Sequence, residues 1–454
     1  MPSEIRAYIR SLAIDAYVVG GAVRDELLGL PHRDEDFVVP RVDQPGLHAL
    51  LVPHGRVEDM DVHGQLVGVR LYPNDRSIRT LAPAGIELTP PRAERSTGPG
   101  HRDFSIVSDS SISLAEDMAR RDFTINAMAR RLDDGILIDP FGGEDDLALR
   151  TIRTVAPTSF VEDPLRLVRA LRFVSQLEFD LAPETHAQMN ACVSGLAHVS
   201  AERIGGGIKA DGMGELSKLL LGRAPQKALL LARDTGVLAA IIPEFVPTFG
   251  YSLHTDRQPL SLEEHVFAVV QNSADAGDRL VVRLACLLHD LGKVEAEARK
   301  ERHALLGARL ARVILARLRY PTDVQHAVSR IVAGHAFGLD GPIDELHARR
   351  FLAEHGDELA FDLVAHKHAD LSAKRVSATE HEALASLARL LQQERSQPHR
   401  IRDLALSGDD LIANGFGEGP QIGRVLATLL DAVVTDPARN NRDWLLERAL
   451  TELG

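Results

Sequence analysis

The stretch YVVGGAVRDELLGLPHRDEDFVV, residues 17–39, holds Gly20-Gly21, Arg24 and two acids, Asp34 and Asp36, separated by one residue. If DEDFVV is a strand, positions i and i+2 share a face, so Asp34 and Asp36 converge while Glu35 points away. Two carboxylates held together repel unless a cation neutralises them, and hard Mg²⁺ favours one or two carboxylates plus substrate phosphates. Upstream, residues 17–19 read as a strand ending in Gly20-Gly21, and residues 22–28 as a helix. Such a turn offers backbone N–H groups and a helix N-terminus to a phosphate, and Arg24 adds a fixed positive charge. A glycine pair before a helix, or a D-x-D on a strand edge, is ordinary by itself. In this order they describe a nucleoside triphosphate site in which metal, not a P-loop lysine, carries the phosphates. Glu87, in the strand-like GIEL, is a candidate third carboxylate. A second constellation lies further along the chain: His265, His289-Asp290, His303, His335 and Asp370. Imidazoles and carboxylates spread over several helices can meet around one divalent metal.

These residues need elements to hold them. At 454 residues the chain is long enough for roughly three domains. Its 44% apolar and 26% charged residues fit a globular protein, and no apolar run is long enough to cross a bilayer. A soluble, cytoplasmic protein with no membrane partner is expected. The start, MPSEIRAYIRSL, lacks an export signal, and two widely spaced cysteines, Cys192 and Cys286, fit a reducing compartment. A net charge of −13 argues against an unspecific polyanion coater but permits a local basic groove. Up to about residue 150, the β-type runs AYVV, DFVV, QLVGVRL, GIEL, FSIV and ILID alternate with helical segments; afterwards almost everything reads as helix. PPRAERSTGPGHRDF, rich in Gly, Pro and charge, reads as a mobile loop.

GGAVRD followed by Asp34 and Asp36 resembles the head domain of the class II tRNA nucleotidyltransferases and bacterial poly(A) polymerases of the polymerase β superfamily. RRDFTINAMA (residues 120–129), IDPFGGEDDL (138–147) and EDPLRLVRALRF (162–173) are similar, in family order, to the second, third and base-reading motifs. The resemblance implies an α+β protein: a small mixed α/β head over 1–150, a helical neck over 151–250, an HD-type helical domain over 251–375 and a helical tail over 376–454. It implies Mg²⁺ on catalytic Asp34 and Asp36, with Gly20, Gly21, Arg24, Arg121, Asn126, Asp163, Arg166, Arg169 and Arg172 contacting the nucleotide. On one helix, Asp163, Arg166, Arg169 and Arg172 form a polar ridge of i+3 steps, leaving Leu165, Val168, Leu171 and Val174 for the core. Aspartate accepts from an exocyclic amino group and arginine donates to ring acceptors. Cytosine and adenine both pair an amino group with a ring nitrogen acceptor; uracil and guanine do not. The implied Asp163–Arg166 pair therefore admits CTP and ATP.

The order H…HD…D is similar to that of HD-type phosphohydrolases, in which His265, His289, Asp290 and Asp370 would hold a second divalent metal. The loop before RRDF resembles one kept by family members that add the terminal A, so complete CCA addition to tRNA is the expected activity. An A-adding enzyme, a poly(A) polymerase, or an HD phosphohydrolase with a nucleotide-binding head are the alternatives. The GFGEGP turn near the C-terminus resembles RNA-side helices of some members and supplies no site residues. Nothing in the sequence fixes an oligomeric state.

Overall fold

The computed structural model describes residues 2–31, 35–62, 64–96, 104–108, 110–207, 212–253 and 255–452. Asp34 and the glycine-rich stretch 97–103 lie outside the described residues. The chain forms two compact units, residues 1–243 and 244–454.

Up to residue 150 the described residues of the first unit form nine strands: β1 (Tyr17–Val19), β2 (Asp36–Val38), β3 (Gly55–Val62), β4 (Gln65–Pro73), β5 (Ile86–Thr89), β6 (Arg92–Ser96), β7 (Phe104–Ser108), β8 (Ala129–Arg131) and β9 (Leu137–Ile138). Seven of them form one sheet in the order β3-β4-β5-β2-β1-β8-β9. Only β2 and β5 pair in parallel; the other neighbours are antiparallel. The central strands are the apolar ones: β1 is buried throughout, and Phe37 and Val38 of β2 are buried beside it. β3, β6 and β8 have no counterpart in the hydrophobic pattern. β3 (GRVEDMDV) is an edge strand, where charged side chains face water and also discourage unwanted pairing. β6 corrects the reading of PPRAERSTGPGHRDF as loop throughout: residues 92–96 pair antiparallel with β7, from Arg92↔Ser108 to Ser96↔Phe104. The ladder supplies the backbone partners that a polar sequence gives no hydrophobic sign of.

Beyond residue 150 the unit is helical, apart from one short parallel pair at Thr151–Ile152 and Asp180–Leu181. Helix Leu165–Leu177 buries Leu165, Val168, Leu171 and Val174, each worth roughly 1.5–3 kcal/mol relative to exposure. Asp163 is not on that helix. It ends the preceding helix Ser159–Glu162, and its carboxylate accepts the Leu165 N–H at 3.1 Å. Pro164 starts the turn, so the expected four-residue polar ridge begins at Arg166 instead.

Among its described residues the second unit is helical. Helices Leu262–Asp275, Leu280–Leu288, His303–Arg317, Thr322–Gly334 and Asp357–Ser372 surround the His/Asp constellation. Close approach of the third of these to the HD turn depends on glycine. A Cβ on Gly292 would lie 2.7 Å from the Gly307 nitrogen, and one on Gly307 would lie 3.0 Å from the His289 carbonyl oxygen. Near the C-terminus, helices Gly408–Ala413 and Pro420–Thr435 pack Leu411, Phe416, Val425 and Leu429 into a small core, an ordinary structural role for the segment around GFGEGP. No described helix is long and apolar enough to cross a membrane.

A cationic cleft and a histidine cluster as candidate functional sites

The glycine turn after β1 is shaped by what lies behind it. Gly20 adopts φ +72°, which favours glycine, and the Arg121 guanidinium lies against it. Helix Gly21–Leu27 then presents Arg24, whose Nη1 donates to Asn126 Oδ1 at 2.7 Å. Asn126 Nδ2 donates in turn to Asp122 Oδ1 at 2.9 Å, and Asp122 Oδ2 accepts from Nη2 and Nε of Arg169 at 2.6 and 2.9 Å. One relay thus ties the glycine-turn helix, the Thr124–Asn126 turn and helix Leu165–Leu177 together. Arg121 and Arg120 share the buried carboxylate of Asp117, at 3.3 and 2.9 Å. Arg172 pairs with Glu215 at 2.9 Å.

These side chains converge on a cleft of about 400 Å³ lined by Gly21, Arg24, Asp36, Arg120, Arg121, Asp122, Asn126, Asp163, Arg166, Arg169, Arg172, Phe173 and Arg203. Seven arginines against three aspartates leave the lining cationic, on a chain whose net charge is −13. Phe173 sits among them, with the guanidinium carbons of Arg172, Arg24 and Arg169 at 4.2, 5.1 and 5.9 Å from its ring centre. Burial opposes the charge on Asp122, yet Arg169 and Asn126 hold its carboxyl well below the usual carboxylate range. Burial likewise opposes the charge on Asp117, and Arg120 and Arg121 prevail. Burial lowers Arg172 to about 10 despite Glu215. Arg169 and Arg172 are therefore charged at neutral pH and braced from behind by carboxylates.

Asp36 is exposed at the start of β2 and lines the cleft. The parallel register of Phe37 with Leu88 and Val38 with Thr89 sets Glu87 beside Asp36 on one face, where Glu87 accepts from Arg70. Glu35 is taken up by Arg6 at 2.9 Å. Asp163 faces Nη2 of Arg203 at 3.8 Å, and Arg166 donates to the carbonyl oxygens of Arg120 and Ser159. Asp122, Phe173, Arg120 and Arg203 join the cleft without having been expected there. RRDF carries the signal for Asp122, next to the expected Arg121; Phe173 looks like core by type, and Arg203 comes from a distant helix.

In the second unit the expected ligands meet. His265 Nε2 lies 3.1 Å from Asp370 Oδ1 and 3.8 Å from Asp290 Oδ2, and His289 Nε2 lies 3.1 Å from Asp290 Oδ2. All four residues are buried. His289 Nδ1 donates to the Cys286 carbonyl oxygen at 2.8 Å, which turns Nε2 toward an Asp290 oxygen. Neither Asp290 oxygen nor His289 Nε2 makes a hydrogen bond, although Lys293 Nζ lies 2.6 Å from Asp290 Oδ2. Burial lowers His265 and His335, the latter to about 4. Burial opposes the charges on Asp290 and Asp370; His289 and Lys293 keep the first well below the usual range, and His265 and Lys374 the second. His366, absent from the expected set, is buried with its ring 4.8 Å from that of His289 and neither nitrogen hydrogen-bonded. Its spacing of four residues before Asp370 on one helix was the available sign.

The poly A polymerase head domain matches residues 16–153, the probable RNA and SrmB-binding site of polymerase A matches 178–248, and tRNA nucleotidyltransferase domain 2 matches 304–449. A multifunctional CCA protein of Dechloromonas aromatica is 38% identical over 68% of this chain and 70% of its own length. One from an Azoarcus species is 37% identical over 70% and 73%. The crystal structure of the Bacillus stearothermophilus CCA-adding enzyme in complex with CTP superposes with a TM-score of 0.68 at 27% identity, covering 99% of this chain and 96% of that one. Relatives of this closeness, with the head-domain match spanning the glycine turn, Asp36 and the RRDF relay, place the chain in the family of class II CCA-adding enzymes and poly(A) polymerases, among the tRNA nucleotidyltransferases called multifunctional CCA proteins.

Proposed function

We propose that this protein adds CCA to tRNA 3′ ends from CTP and ATP without a nucleic-acid template, by attack of the RNA 3′-hydroxyl on the nucleotide α-phosphate with release of pyrophosphate. The observation that carries the reading is the cleft itself, where cationic side chains braced by Asp117, Asp122 and Glu215 surround Phe173 next to Asp36. Arg24, Arg121 and the Gly20-Gly21 turn suit a triphosphate; Arg169 and Arg172, fixed by their carboxylates, orient the nucleoside. Asp163 and Arg166, also on the cleft wall, would test the base, and selection by hydrogen bonds rejects a mismatched edge because it leaves buried polar groups unpaired. Positioning and charge stabilisation are the main contributions a protein makes to such phosphoryl chemistry.

The nucleotidyltransferase family implies a divalent metal. Asp36 fits it: an exposed carboxylate on the rim of a cationic cleft, with Glu87 on the same face. Mg²⁺ held by Asp34 and Asp36, with Glu87 alongside, would supply activation of the 3′-hydroxyl and charge neutralisation at the leaving pyrophosphate. The fourfold division into head (1–150), neck (151–250), HD-type domain (251–375) and RNA-side tail (376–454), acting in the cytoplasm, goes with this reading.

A second activity is favoured by one observation, the buried Nε2 of His289 facing an Asp290 oxygen, neither with a hydrogen-bond partner. His265, His289, Asp290 and Asp370 would hold a divalent transition metal there, and phosphate release from phosphoester substrates with Ni²⁺, Mn²⁺ or Mg²⁺ tests it. The main reading is tested by sequencing 3′ ends after incubation with all four NTPs and Mg²⁺. CCA on tRNA lacking it and A on CC-ended tRNA, with little on a generic RNA, support it. A on the CC-ended tRNA alone marks an A-adding enzyme, and long A tails on generic RNA mark a poly(A) polymerase.

A further inference from the structure

We infer that Asp117 is a positioning residue for nucleotide selection: its buried carboxylate holds Arg121 against the glycine turn and, through the backbone of Arg120, holds Arg166. The inference rests on the reading of the cleft as a CTP and ATP site, and its test separates the two.

Asp117 lies on helix Leu114–Ala119, and its side chain is 0% exposed. It is not among the residues that line the cleft, so it acts only through its partners. A carboxylate offers about four lone-pair positions, and this one divides them. Oδ1 accepts from Nε and Nη2 of Arg120 at 3.1 and 2.9 Å and from the backbone N–H of Arg92 at 3.2 Å. Oδ2 accepts from Nη2 of Arg121 at 3.3 Å. Because Arg92 opens β6, which pairs with β7, the carboxylate is tied to a sheet ladder as well as to its own helix.

Each oxygen serves a different part of the nucleotide site. Arg121, held by Oδ2, turns Nη1 to the glycine turn, where it lies against Gly20 and 3.5 Å from the Asn126 carbonyl oxygen. That turn and Arg24 are the groups suited to a triphosphate, so this branch sets phosphate contacts. Arg120, held by Oδ1, caps the C-terminus of the same helix, and its carbonyl is one of those a helix end leaves open. Nη2 of Arg166 donates to that carbonyl oxygen at 2.5 Å, and Nη1 donates to the Ser159 carbonyl oxygen at 3.4 Å.

Two carbonyls thus fix the plane of a buried guanidinium on the cleft wall, and its remaining N–H groups are the ones that can face a base. Discrimination by hydrogen bonds needs that fixed plane. A guanidinium free to turn would reach the carbonyl oxygen of uracil or guanine as well as the ring nitrogen of cytosine or adenine. Asp117→Asn keeps the shape of the side chain but removes its charge and turns an amide N–H toward an arginine, which loosens both branches. A purely structural role would lower the amount of active protein equally for every nucleotide. A positioning role changes the ratio between nucleotides.

The test is extension of CC-ended tRNA by the intact wild-type and Asp117→Asn chains with Mg²⁺, giving kcat/KM for ATP and for GTP separately. The ATP-to-GTP ratio is expected to fall at least about tenfold in the variant, with a raised KM for ATP. A ratio within about twofold of wild type, whatever the loss of rate, would overturn the inference, because so small a change leaves base selection intact. No preference for ATP in the wild type would overturn the reading of the cleft and the inference with it. Because a buried substitution can misfold, Arg120→Ala is measured alongside. It leaves the Asp117 charge and its contacts to Arg121 and Arg92 in place and empties the branch that leads to Arg166. The ratio should fall there too, and an unchanged ratio in that variant overturns the inference.

Discussion

The cleft of the first unit and the cluster of the second are both dense in charge and handle it in opposite ways. In the cleft, carboxylates stand behind guanidiniums: Asp122 behind Arg169, Glu215 behind Arg172, Asp117 behind Arg120 and Arg121. A guanidinium has five donors, so one braced by a carboxylate keeps others for a ligand. In the cluster, Lys293 and Lys374 stand beside the Asp290 and Asp370 carboxylates, and His289 Nε2, both Asp290 oxygens and both His366 nitrogens make no hydrogen bond. The first arrangement, with its guanidiniums paired to carboxylates, suits an anion. The second suits a cation, since an unpaired buried polar group costs about 1–3 kcal/mol.

The largest effect is expected where the cleft meets the chemistry. Asp36→Ala should lower nucleotide incorporation by at least about 10³-fold, measured in single-turnover extension of a CC-ended tRNA. Metal content of the second unit should be unchanged. Incorporation within tenfold of wild type would remove Asp36 from the mechanism and dissolve the contrast between the sites.

Next comes the brace. Asp122→Ala leaves the half-buried Arg169 with Glu215 at 3.6 Å, and Asn126 without its acceptor. With Arg169 partly open to water, losing the pair costs about 1–3 kcal/mol, to be read from urea denaturation. Incorporation should fall as well, because Asn126 orients Arg24. Full stability in this variant would mean that the arginines need no support.

Asp122 also marks how far the sequence could be read. The α+β division, the glycine turn, the D-x-D and the H…HD…D order are local patterns, and local patterns survive in a string of letters. A brace is a contact between segments 47 residues apart, as between Arg169 and Asp122, or 43 apart, as between Arg172 and Glu215, and neither spacing has a motif. Asp163 was misplaced onto the helix because Pro164 was passed over as a boundary. β6 was hidden because the sequence RAERS has no apolar alternation. His303 and His335 were visible as residues, but that both face the other Asp290 oxygen, Oδ1, is a contact no spacing shows.

A smaller effect is expected from metal removal, and it should fall on one site only. A ligand at a hundredfold excess over its dissociation constant stabilises the native state by about 2.7 kcal/mol. Stripping metal with a chelator should therefore lower the melting temperature of the protein, and His265→Ala should abolish that shift. Asp36→Ala should leave it intact. A shift that follows Asp36 instead would assign the stabilising ion to the cleft.

Mild acid gives the smallest and most discriminating contrast, best read on metal-free protein. His335 is held near 4 by burial, against about 6.5 in an unfolded chain. Between those values the unfolded state binds more protons, so stability falls as pH falls, by at most about 1.4 kcal/mol per pH unit for one such group. Asp122 has a depressed value, so its contribution is fully present above about pH 4 and is lost only as pH drops through its lower folded value. The cluster should therefore begin to weaken just below pH 6.5, where the cleft is still at full strength. Denaturation of wild type, His335→Gln and Asp122→Asn across pH 4.5–8 resolves the two: the glutamine variant should flatten the slope between pH 6.5 and 4.5, and the asparagine variant should leave it as it is. A slope that survives His335→Gln would place the proton uptake elsewhere in the cluster, with His265 and His366, both also lowered by burial, the next to replace.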